Sequence, residues 1–380
     1  MVPQSLCPHQ SVCSGCGGSI DTLLCRATKI FRGLGIQDYT LVRGSPTGWR
    51  TRAKLAVRRQ GAQGLAIGLF RKGSHEVVPI SQCVCHHPRL NDALQRLNRL
   101  PPHVGYDEQS GRGQLRYIQA VVERETNRVQ LTFVLSLPTF DTSEVKEWGR
   151  RANAFLEEDP SLWHSFWINL QPLPVNTIFG PHWKRVNGEP FVWETIAGCI
   201  VPFLPSHFGQ ANPEMFERVV HDLIALLPPN ATIVELFAGM GVMSLALRPY
   251  CASVTAIERD GTAMGSFLEA KKRLPLALQD GLRYIVQDAS AGPEVVQGAS
   301  AVVVDPPRKG LPLNLVHSIA REESITDLFY LSCHFPTLER DMGQIMNEGG
   351  FSVSFARSYL FFPGTEHIET LVRFSRKKSG

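Results

Sequence analysis

The pattern that most constrains the fold lies in the C-terminal half of the sequence. Short apolar segments alternate there with glycine-containing turns and helical stretches, and the segments are Thr232-Ile-Val-Glu-Leu-Phe, Ser253-Val-Thr-Ala-Ile-Glu, Ala301-Val-Val-Val-Asp and Thr326-Asp-Leu-Phe-Tyr-Leu-Ser. Such alternation is typical of a doubly wound, mostly parallel sheet buried on both faces. Two last segments, Phe351-Ser-Val-Ser-Phe-Ala and Ile368-Glu-Thr-Leu-Val-Arg-Phe, flank a Phe-Phe-Pro-Gly turn and predict an antiparallel hairpin that closes the sheet. The predicted class is α/β with a Rossmann-like domain.

A different pattern precedes this domain. Shorter strand-like segments, separated by longer polar stretches, predict a mixed or antiparallel β domain, and they run over 53–57, 65–70, 118–122 and 129–135. Helices are expected near 18–34 and 143–157. A chain of 380 residues is long enough for two domains with their own cores. We expect domains at 1–195 and 196–380, with the helix near 18–34 able to pack on the second.

Charge is unevenly distributed between these parts. Residues 1–128 hold 18 Lys and Arg against 8 Asp and Glu, whereas the remainder holds 21 against 27. A basic region joined to a mildly acidic one suggests that one part binds a polyanion and the other part acts on it. A solvated basic surface without a partner is the alternative.

No feature of the sequence predicts export or membrane insertion. It contains no run of about 18 apolar residues and no basic flank followed by an apolar stretch at the N-terminus. We therefore expect a cytoplasmic protein. We also expect a monomer. Nine cysteines in such a chain favour metal binding or catalysis over a disulfide scaffold.

A glycine-rich turn follows the first apolar strand. In Val234-Glu-Leu-Phe237-Ala-Gly239-Met-Gly241 the backbone must turn tightly beneath a ligand, and Glu258 ends the next strand 19 residues after Gly239. An acidic residue at that position can accept hydrogen bonds from both hydroxyls of a ribose. Asp288 follows in Val286-Gln-Asp-Ala and could meet an adenine amino group. Because the dinucleotide glycine set and a phosphate-loop lysine are both missing, S-adenosylmethionine fits better than NAD or ATP.

The next two strand ends carry reactive side chains. Asp305 lies in Val304-Asp-Pro-Pro-Arg-Lys-Gly, and Cys333 lies one strand later in Leu331-Ser-Cys-His-Phe-Pro. Open α/β sheets bind ligands at this edge, so a buried structural cysteine becomes the less favoured interpretation. Carbon 5 of uracil is too weak a nucleophile to take a methyl group directly, and thiolate addition at carbon 6 activates it. Glu369 is a candidate for the base that then removes the carbon 5 proton.

These motifs resemble the RNA 5-methyluridine methyltransferase family, which includes 23S ribosomal RNA and transfer RNA enzymes. The resemblance runs from residue 7 to about 374 and rests on Asp305-Pro-Pro-Arg-Lys-Gly, Ser332-Cys333 with Thr337-Leu338 and Arg340-Asp341, Phe362-Pro with His367-Ile-Glu369, and Phe208-Gly-Gln-Ala-Asn. Where the family commonly has Ser-Cys-Asn-Pro, this chain has His334, and Gly364 replaces a frequent histidine.

The resemblance implies a class I methyltransferase that makes 5-methyluridine in RNA. It assigns Cys333 as nucleophile, Glu369 as base, Gln210 as a contact of S-adenosylmethionine, and Asp305 as a group that holds the uracil edge or the methyl donor. The short ribosomal RNA members, which lack an N-terminal TRAM domain, are the most similar, so 23S ribosomal RNA is favoured over transfer RNA. An amine-type RNA methyltransferase and an RNA-binding iron–sulfur protein without catalysis are the alternatives.

Four cysteines suggest a metal site. Cys7, Cys13 and Cys16 form a C-x5-C-x2-C pattern, and Cys83 follows a strand-rich stretch. Four thiolates can hold zinc or an iron–sulfur cluster, and the spacing alone does not separate the two. The family resemblance implies a [4Fe-4S] cluster, and it matches Cys83 better than Cys85.

Basic residues near residue 50 repeat at strand spacing. Arg50, Arg52 and Lys54 should share one face, with Trp49 beside them as a stacking platform for RNA. Arg116 is a second candidate for an RNA contact. A guard against aggregation on an edge strand is the alternative role for such a stripe.

Overall fold

A computed structural model describes residues 18–60, 64–71, 73–348 and 350–376. Within these ranges the helices are α1 (Asp21–Gly33), α2 (Pro88–Leu97), α3 (Ser143–Glu158), α4 (Pro213–Leu226), α5 (Val242–Leu247), α6 (Met264–Lys272), α7 (Leu276–Gln279), α8 (Leu313–Arg321) and α9 (Phe335–Glu348). The strands are β1 (Thr40–Val42), β2 (Arg52–Gln60), β3 (Gly64–Phe70), β4 (Val77–Pro79), β5 (Leu115–Glu123), β6 (Arg128–Leu135), β7 (Trp163–Leu170), β8 (His182–Gly188), β9 (Val192–Ile196), β10 (Cys199–Phe203), β11 (Thr232–Leu236), β12 (Ser253–Glu258), β13 (Leu282–Val286), β14 (Ala301–Val304), β15 (Asp327–Ser332), β16 (Phe351–Tyr359) and β17 (Glu369–Arg376).

The described residues form two compact units. The first consists of Ser45–Glu194 and Phe203–Asn212, and the second of Gly18–Gly44, Thr195–Pro202 and residues 213–376. The division expected between residues 195 and 196 falls inside β9. The structure places α1 and β1 in the second unit, so that unit is built from separate stretches of the chain.

The second unit is an α/β fold around an eight-stranded sheet. The strand order is β1-β16-β17-β15-β14-β11-β12-β13, and the pairs among β11 to β15 are parallel. The strands β11, β14 and β15 are buried along nearly their whole length because helices cover both faces of a doubly wound sheet. This arrangement confirms the Rossmann-like class predicted for the C-terminal half.

The last two strands form the predicted antiparallel hairpin. Strand β17 pairs antiparallel with both β16 and β15, so it lies between them. The intervening turn is closed by the Thr365 amide, which donates to the Phe362 carbonyl at 3.1 Å, with Gly364 at a φ of +87°. A positive φ at the third residue of the turn, directly after Pro363, is the geometry of a type II turn, which favours glycine there. The hairpin places Glu369 at the start of its second strand.

The first unit contains a seven-stranded mixed sheet in the order β4-β3-β2-β5-β6-β7-β8. Its pairs are antiparallel except for β6 with β7. In β2 the side chains of Ala53, Leu55 and Val57 enter the core, while Lys54 between them is exposed. This period of two confirms the β-rich N-terminal pattern, and helices α2 and α3 supply buried side chains to the same core. No helix in the described ranges is both long and apolar enough to span a membrane.

A buried acid at the end of β5 stabilises the first unit. Glu123 is 4% exposed, and its carboxylate accepts hydrogen bonds from the Trp193 amide at 2.9 Å and the Thr126 hydroxyl at 2.6 Å. The Nε2 atom of His164 lies 3.4 Å from the same carboxylate. Burial alone would raise the pKa of Glu123, but the hydrogen bonds from His164, Thr126 and Trp193 outweigh it and hold the pKa at about 2.

Replacing Glu123 with glutamine should lower stability at neutral pH. A pKa below the ordinary value means that the ionised carboxylate stabilises the fold above about pH 4.5, and that this contribution disappears as the pH falls toward about 2. We expect Glu123→Gln to lower the free energy of unfolding by about 1–3 kcal/mol at pH 7 and by less at pH 3, measured by chemical denaturation. The exposed neighbour Glu125 provides the control. Equal losses in Glu123→Gln and Glu125→Gln would contradict the assignment.

Candidate active site

The turn after β11 has the left-handed backbone that its glycines suggested. Phe237, Gly239 and Gly241 have φ values of +60°, +55° and +73°. A Cβ atom on Gly241 would lie 2.7 Å from the ring of Phe267, whereas one on Gly239 would meet no atom within 4 Å. Gly241 is therefore required by packing, and Gly239 leaves open space above the turn. A positive φ at the bulky residue Phe237 marks a strained position of the kind found at functional sites.

Acidic side chains lie at the ends of the two strands that follow. The carboxylate of Glu258 accepts hydrogen bonds from the amides of Gly239 and Asp260, both at 3.0 Å. Each carboxylate oxygen has two lone pairs, so Glu258 can also accept from a ribose. Asp288 is exposed, and hydrogen bonds from the hydroxyl and amide of Ser290 lower its pKa. The edge above the turn is therefore acidic.

Sequence reasoning missed a third acid at this turn. Glu235 is 1% exposed and accepts hydrogen bonds from the hydroxyl and the amide of Ser244, the latter at 2.7 Å. Burial, with smaller contributions from the charges of Asp305 and Glu258, raises its pKa to about 8 against the opposing hydrogen bonds from Ser244. Its place in Val234-Glu-Leu-Phe was visible in the sequence, but its inward direction was not. The bonds to Ser244 tie β11 to the first turn of α5.

Three of the predicted catalytic side chains meet at one edge of the sheet. Cys333 directly follows β15, and Glu369 begins β17. Because Ser332 pairs with Thr370 in the antiparallel ladder, Cys333 and Glu369 stand opposite each other one step further along. Asp305 directly follows β14, which runs parallel to β15. The strand register thus brings together a thiol and two carboxyl groups.

These groups perturb each other's ionisation. Burial raises the pKa of the half-buried Cys333 thiol, and Glu369 and Asp305 raise it further, while Arg308 opposes them. Burial raises the pKa of Glu369 to about 8, with Asp305 adding to the rise and Arg308 again opposing it. Burial alone raises the pKa of Asp305 to about 7. Such raised values in one small region are characteristic of sites that move protons.

The first turns of α9 hold the loop that follows Asp305. The hydroxyl of Thr337 donates to the Arg308 carbonyl at 2.9 Å, and Arg340 donates to the Lys309 carbonyl at 2.8 Å. The Asp341 carboxylate, which is fully buried, accepts from the Leu311 amide at 2.8 Å. Helix α9 therefore sets the position of Arg308 relative to Cys333, which lies just before the same helix.

Two histidines also lie near Arg308. The Nδ1 atom of His334 is 2.7 Å from the Thr337 hydroxyl, whose own proton goes to the Arg308 carbonyl, so we assign the proton of this contact to Nδ1. Burial lowers the pKa of His367, and the charges of Arg308 and His334 lower it further while Glu366 opposes them. Sequence reasoning assigned His367 no role of its own.

The predicted RNA-binding stripe is only partly a free basic surface. Lys54 is exposed, with its ammonium 4.8 Å from the centre of the Phe179 ring. Arg50 is half-buried and its guanidinium lies 4.9 Å from the Trp49 ring. Trp49 is only 7% exposed, so the expectation that it offers a platform for bases is wrong. Arg52 is half-buried, and burial lowers its pKa to about 10 while Glu194 opposes that shift.

Arg52 holds a neighbouring segment. Its guanidinium donates to the His207 carbonyl at 3.2 Å and lies 5.7 Å from the centre of the Phe203 ring. A Cβ atom on Gly209 would lie 2.8 Å from its Nη2 atom. The same segment carries Gln210, which is half-buried, and Phe208, which is 76% exposed. Gln210 remains a predicted contact of the methyl donor.

Arg116 is not placed for the RNA contact that the sequence suggested. Its side chain is 3% exposed and donates to the carbonyls of Gln171, Leu173 and Val175. A guanidinium enclosed in this way cannot reach a phosphate. The prediction is wrong because residue type and strand spacing do not reveal which cations donate hydrogen bonds to backbone carbonyls instead of facing solvent.

Of the four cysteines expected to bind metal, the structure describes one. Cys7, Cys13 and Cys16 lie outside the described residues. Cys83 is half-buried, and its backbone is held by Asn91, whose side chain accepts from the Cys83 amide and donates to its carbonyl, each at 3.1 Å. Cys85 is 5% exposed. The described part of the chain contains no group of three or more His, Cys, Asp or Glu side chains placed to hold a metal ion.

Comparisons with known proteins identify the family. No family model matches the chain. The chain is 35% identical over 380 residues to an uncharacterized RNA methyltransferase of Protochlamydia amoebophila, covering 97% of each. It is 27% identical over 337 residues to another uncharacterized RNA methyltransferase from Thermosynechococcus vestitus, covering 86% of this chain and 71% of that one. The chain therefore belongs to the RNA methyltransferase family.

A solved structure shares the fold. It is the Pyrococcus abyssi tRNA (uracil-54, C5)-methyltransferase in complex with S-adenosyl-L-homocysteine. The TM-score is 0.74 at 20% identity, and the match covers 94% of this chain and 83% of that chain. At this identity the similarity establishes the methyltransferase fold, to which the eight-stranded sheet belongs.

Proposed function

We propose that this RNA methyltransferase transfers a methyl group from S-adenosylmethionine to carbon 5 of a uridine, through a covalent bond between Cys333 and carbon 6. The observation that carries the proposal is the meeting of Cys333 and Glu369 across β15 and β17, with Asp305 at the same edge. Methylation of an exocyclic amine needs no thiol at this position. The name of the Pyrococcus abyssi relative, which acts on uracil carbon 5, supports the same chemistry.

The residues around the glycine turn fit S-adenosylmethionine. The open space above Gly239 admits a ligand against the backbone, and Glu258 and Asp288 provide acceptors for ribose hydroxyls and an adenine amino group. The acidic edge also suits the cationic sulfonium of this donor. We propose Phe237, Gly239, Gly241, Glu258, Asp288, Asp305 and Gln210 as its contacts. The bound donor supplies the methyl group.

The side chains at the sheet edge then divide the reaction between them. The Cys333 thiolate forms a bond to carbon 6, and the electron pair of the ring double bond moves onto carbon 5 and oxygen 4. Asp305, whose pKa of about 7 leaves it partly protonated near neutral pH, can donate a hydrogen bond to that oxygen. After carbon 5 has gained the methyl group, the Glu369 carboxylate removes the proton that carbon 5 still carries. The double bond re-forms and the thiolate leaves.

The raised pKa of Glu369 suits this role. A base works best when its pKa lies near the working pH, and burial together with Asp305 brings Glu369 to about 8. Arg308 lowers the pKa of both Glu369 and Cys333, so it favours the anionic form of each. Arg308 therefore lowers the pH at which the site becomes active, against the larger effect of burial.

Removing the Arg308 charge should move the pH dependence of the reaction upward. The pKa values of Cys333 and Glu369 both rise in Arg308→Gln, so the rate at pH 7 should fall about tenfold for each pH unit of displacement. Single-turnover methylation rates, measured from about pH 6 to about pH 9.5, give the position of the rising limb. Lys309→Gln is the control, because Lys309 is an exposed neighbouring cation that is not among the groups shifting the pKa of Cys333 or Glu369. Superimposable profiles for the two variants would contradict this role of Arg308.

We further propose a [4Fe-4S] cluster on Cys7, Cys13, Cys16 and Cys83. Cys83 fits a ligand because its backbone is pinned on both sides by Asn91 while its side chain is only half-buried. Cys85, two residues on, is enclosed and fits less well. The cluster would tie the N-terminal cysteines to the segment before α2, which is a structural role.

The RNA substrate is proposed to be 23S ribosomal RNA, with transfer RNA as the alternative. Lys54 and Arg50 remain the proposed phosphate contacts, and Arg52 contributes through the segment that it holds. Mass spectrometry of nucleosides from both RNA classes of a deletion strain, followed by mapping of the lost 5-methyluridine, tests the choice. Unchanged 5-methyluridine in both RNA classes would contradict the proposed function.

A further inference from the structure

An exposed apolar loop of the first unit is held by buried polar side chains. Residues 171–181, the Leu173 loop, connect β7 to β8, and within it Leu173 is 60% and Val175 42% exposed. Pro172 and Pro174 flank Leu173 and restrict its backbone. A single exposed leucine is ordinary on a protein surface. What needs an explanation is the amount of buried polar structure that fixes this one.

Three buried side chains hold the Leu173 loop, and one of them, Gln171, is the first residue of the loop itself. Arg116 donates to three carbonyls at its start, as described above. The side chain of Gln171, 3% exposed, donates to the carbonyls of Thr177 and Phe179 at 3.3 and 3.0 Å. Asn169, fully buried, accepts from the Gly180 amide at 2.9 Å and donates to its carbonyl at 2.8 Å. The loop is therefore fixed at its beginning, middle and end.

Such a loop is preorganised for a partner. Burying a guanidinium is costly unless it is hydrogen-bonded, and here both terminal nitrogens of Arg116 donate to the backbone of an otherwise exposed segment. A rigid loop loses little conformational entropy when it binds, so contacts made by Leu173 and Val175 contribute more of their energy to affinity. The geometry thus favours recognition over a merely structural connection.

The charges around the loop select a polyanion as the partner. The stretch 161–188 contains no Asp or Glu. Strand β8, at the edge of its sheet, follows the loop directly and exposes His182, Lys184 and Arg185. Lys54 lies against Phe179 at the end of the loop. RNA is the polyanion that also offers apolar surface, because unpaired bases expose their faces.

We propose that the Leu173 loop is an RNA-binding element in which Leu173 and Val175 pack against unpaired bases while Lys184 and Arg185 contact phosphates. The inference rests on the proposed function for its RNA substrate but not on the carbon 5 chemistry. It also gives buried Arg116 an indirect part in RNA binding, through the loop that it positions.

Binding measurements with two RNA probes test this inference. The probes are a fluorescein-labelled RNA hairpin with an unpaired uridine-rich loop and a perfectly paired RNA duplex of the same length, and anisotropy is recorded over a series of salt concentrations. Leu173→Ser should weaken hairpin binding about 5- to 100-fold and leave duplex binding unchanged. The slope of log affinity against log salt should not change, because no phosphate contact is lost. Lys184→Gln combined with Arg185→Gln should instead flatten that slope by about 0.7 for each phosphate contact removed.

A matched control separates the loop from general surface effects. Leu276 is 82% exposed on α7 in the second unit, so Leu276→Ser removes a similar side chain elsewhere. The proposal would be overturned if Leu173→Ser and Leu276→Ser bound the hairpin with equal affinity. It would also be overturned if Leu173→Ser weakened hairpin and duplex binding equally. Equal unfolding midpoints for both variants show that each is folded. If the wild-type protein binds the hairpin through Leu173 but yields no 5-methyluridine, the proposed chemistry fails and this inference stands.

Discussion

Glu369→Gln protein is expected to remain covalently attached to its RNA. Addition of Cys333 to carbon 6 and transfer of the methyl group precede the step that needs the carboxylate, so both should still occur. The carbon 5 proton then stays in place and the thiolate cannot leave. Denaturing electrophoresis should show a protein–RNA adduct, and mass spectrometry should show that it carries the added methyl group.

Cys333→Ala should give neither adduct nor product. Without the thiolate, carbon 5 is not activated, and we expect the methylation rate to fall by at least about 10³-fold. RNA containing 5-fluorouridine provides a parallel test on the unchanged enzyme, because fluorine cannot leave as a proton does and the adduct should be trapped. Glu366→Gln, three residues before Glu369 and exposed, is the control and should turn over normally. Near-normal turnover of Glu369→Gln without an adduct would show that another group is the base.

The second large effect concerns iron. Protein purified without oxygen is expected to be brown and to contain about four irons per chain. Cys83→Ser should lose most of this iron, since one of four thiolate ligands is removed. Cys85→Ser should keep it, because the buried Cys85 is not among the proposed ligands. Cys25→Ser, which changes an exposed cysteine of α1, should also keep it.

Two other results of the metal analysis would contradict this prediction. Stoichiometric zinc without visible absorbance would show that the same cysteines hold zinc instead of an iron–sulfur cluster. Iron retained in Cys83→Ser and lost in Cys85→Ser would show that Cys85, and not Cys83, is the fourth ligand. Both results can be read from metal analysis and the absorption spectrum alone, without any measurement of activity.

The parallel sheet could be predicted because its strands carry a strong local signal. The segments that start at Thr232, Ser253 and Ala301 are continuous apolar runs, as strands buried on both faces require, and each became a strand of the second unit. Strand β13 gave no such run, because it lies at the sheet edge and exposes Arg283, Ile285 and Val286. Its partly solvated surface resembles a loop in the sequence.

The candidate site was predictable where it follows from topology. Asp305 and Cys333 each come after a strand of a parallel sheet, so their common edge follows from the strand pattern. The position of Glu369 opposite Cys333 depends on the register of β15 with β17, which no local pattern encodes. The burial of individual side chains could not be predicted from the sequence either. Arg116 and Arg52 look like surface cations in the sequence, yet their guanidinium groups donate to neighbouring backbone carbonyls.

The pairing of β1 with β16 affects how the chain folds during synthesis. Thr40 to Val42 pair with Arg357 to Tyr359, and the Tyr39 hydroxyl lies 2.7 Å from that of Ser358. Tyr39 and Ser358 are 319 residues apart in the chain, so the ribosome makes one strand of this pair long before its partner. The stretch Ser45–Glu194 can assemble its own sheet in the meantime, whereas α1 and β1 must wait. We infer that the second unit completes its sheet only after β16 has been made, and that β1 lacks its sheet partner until then.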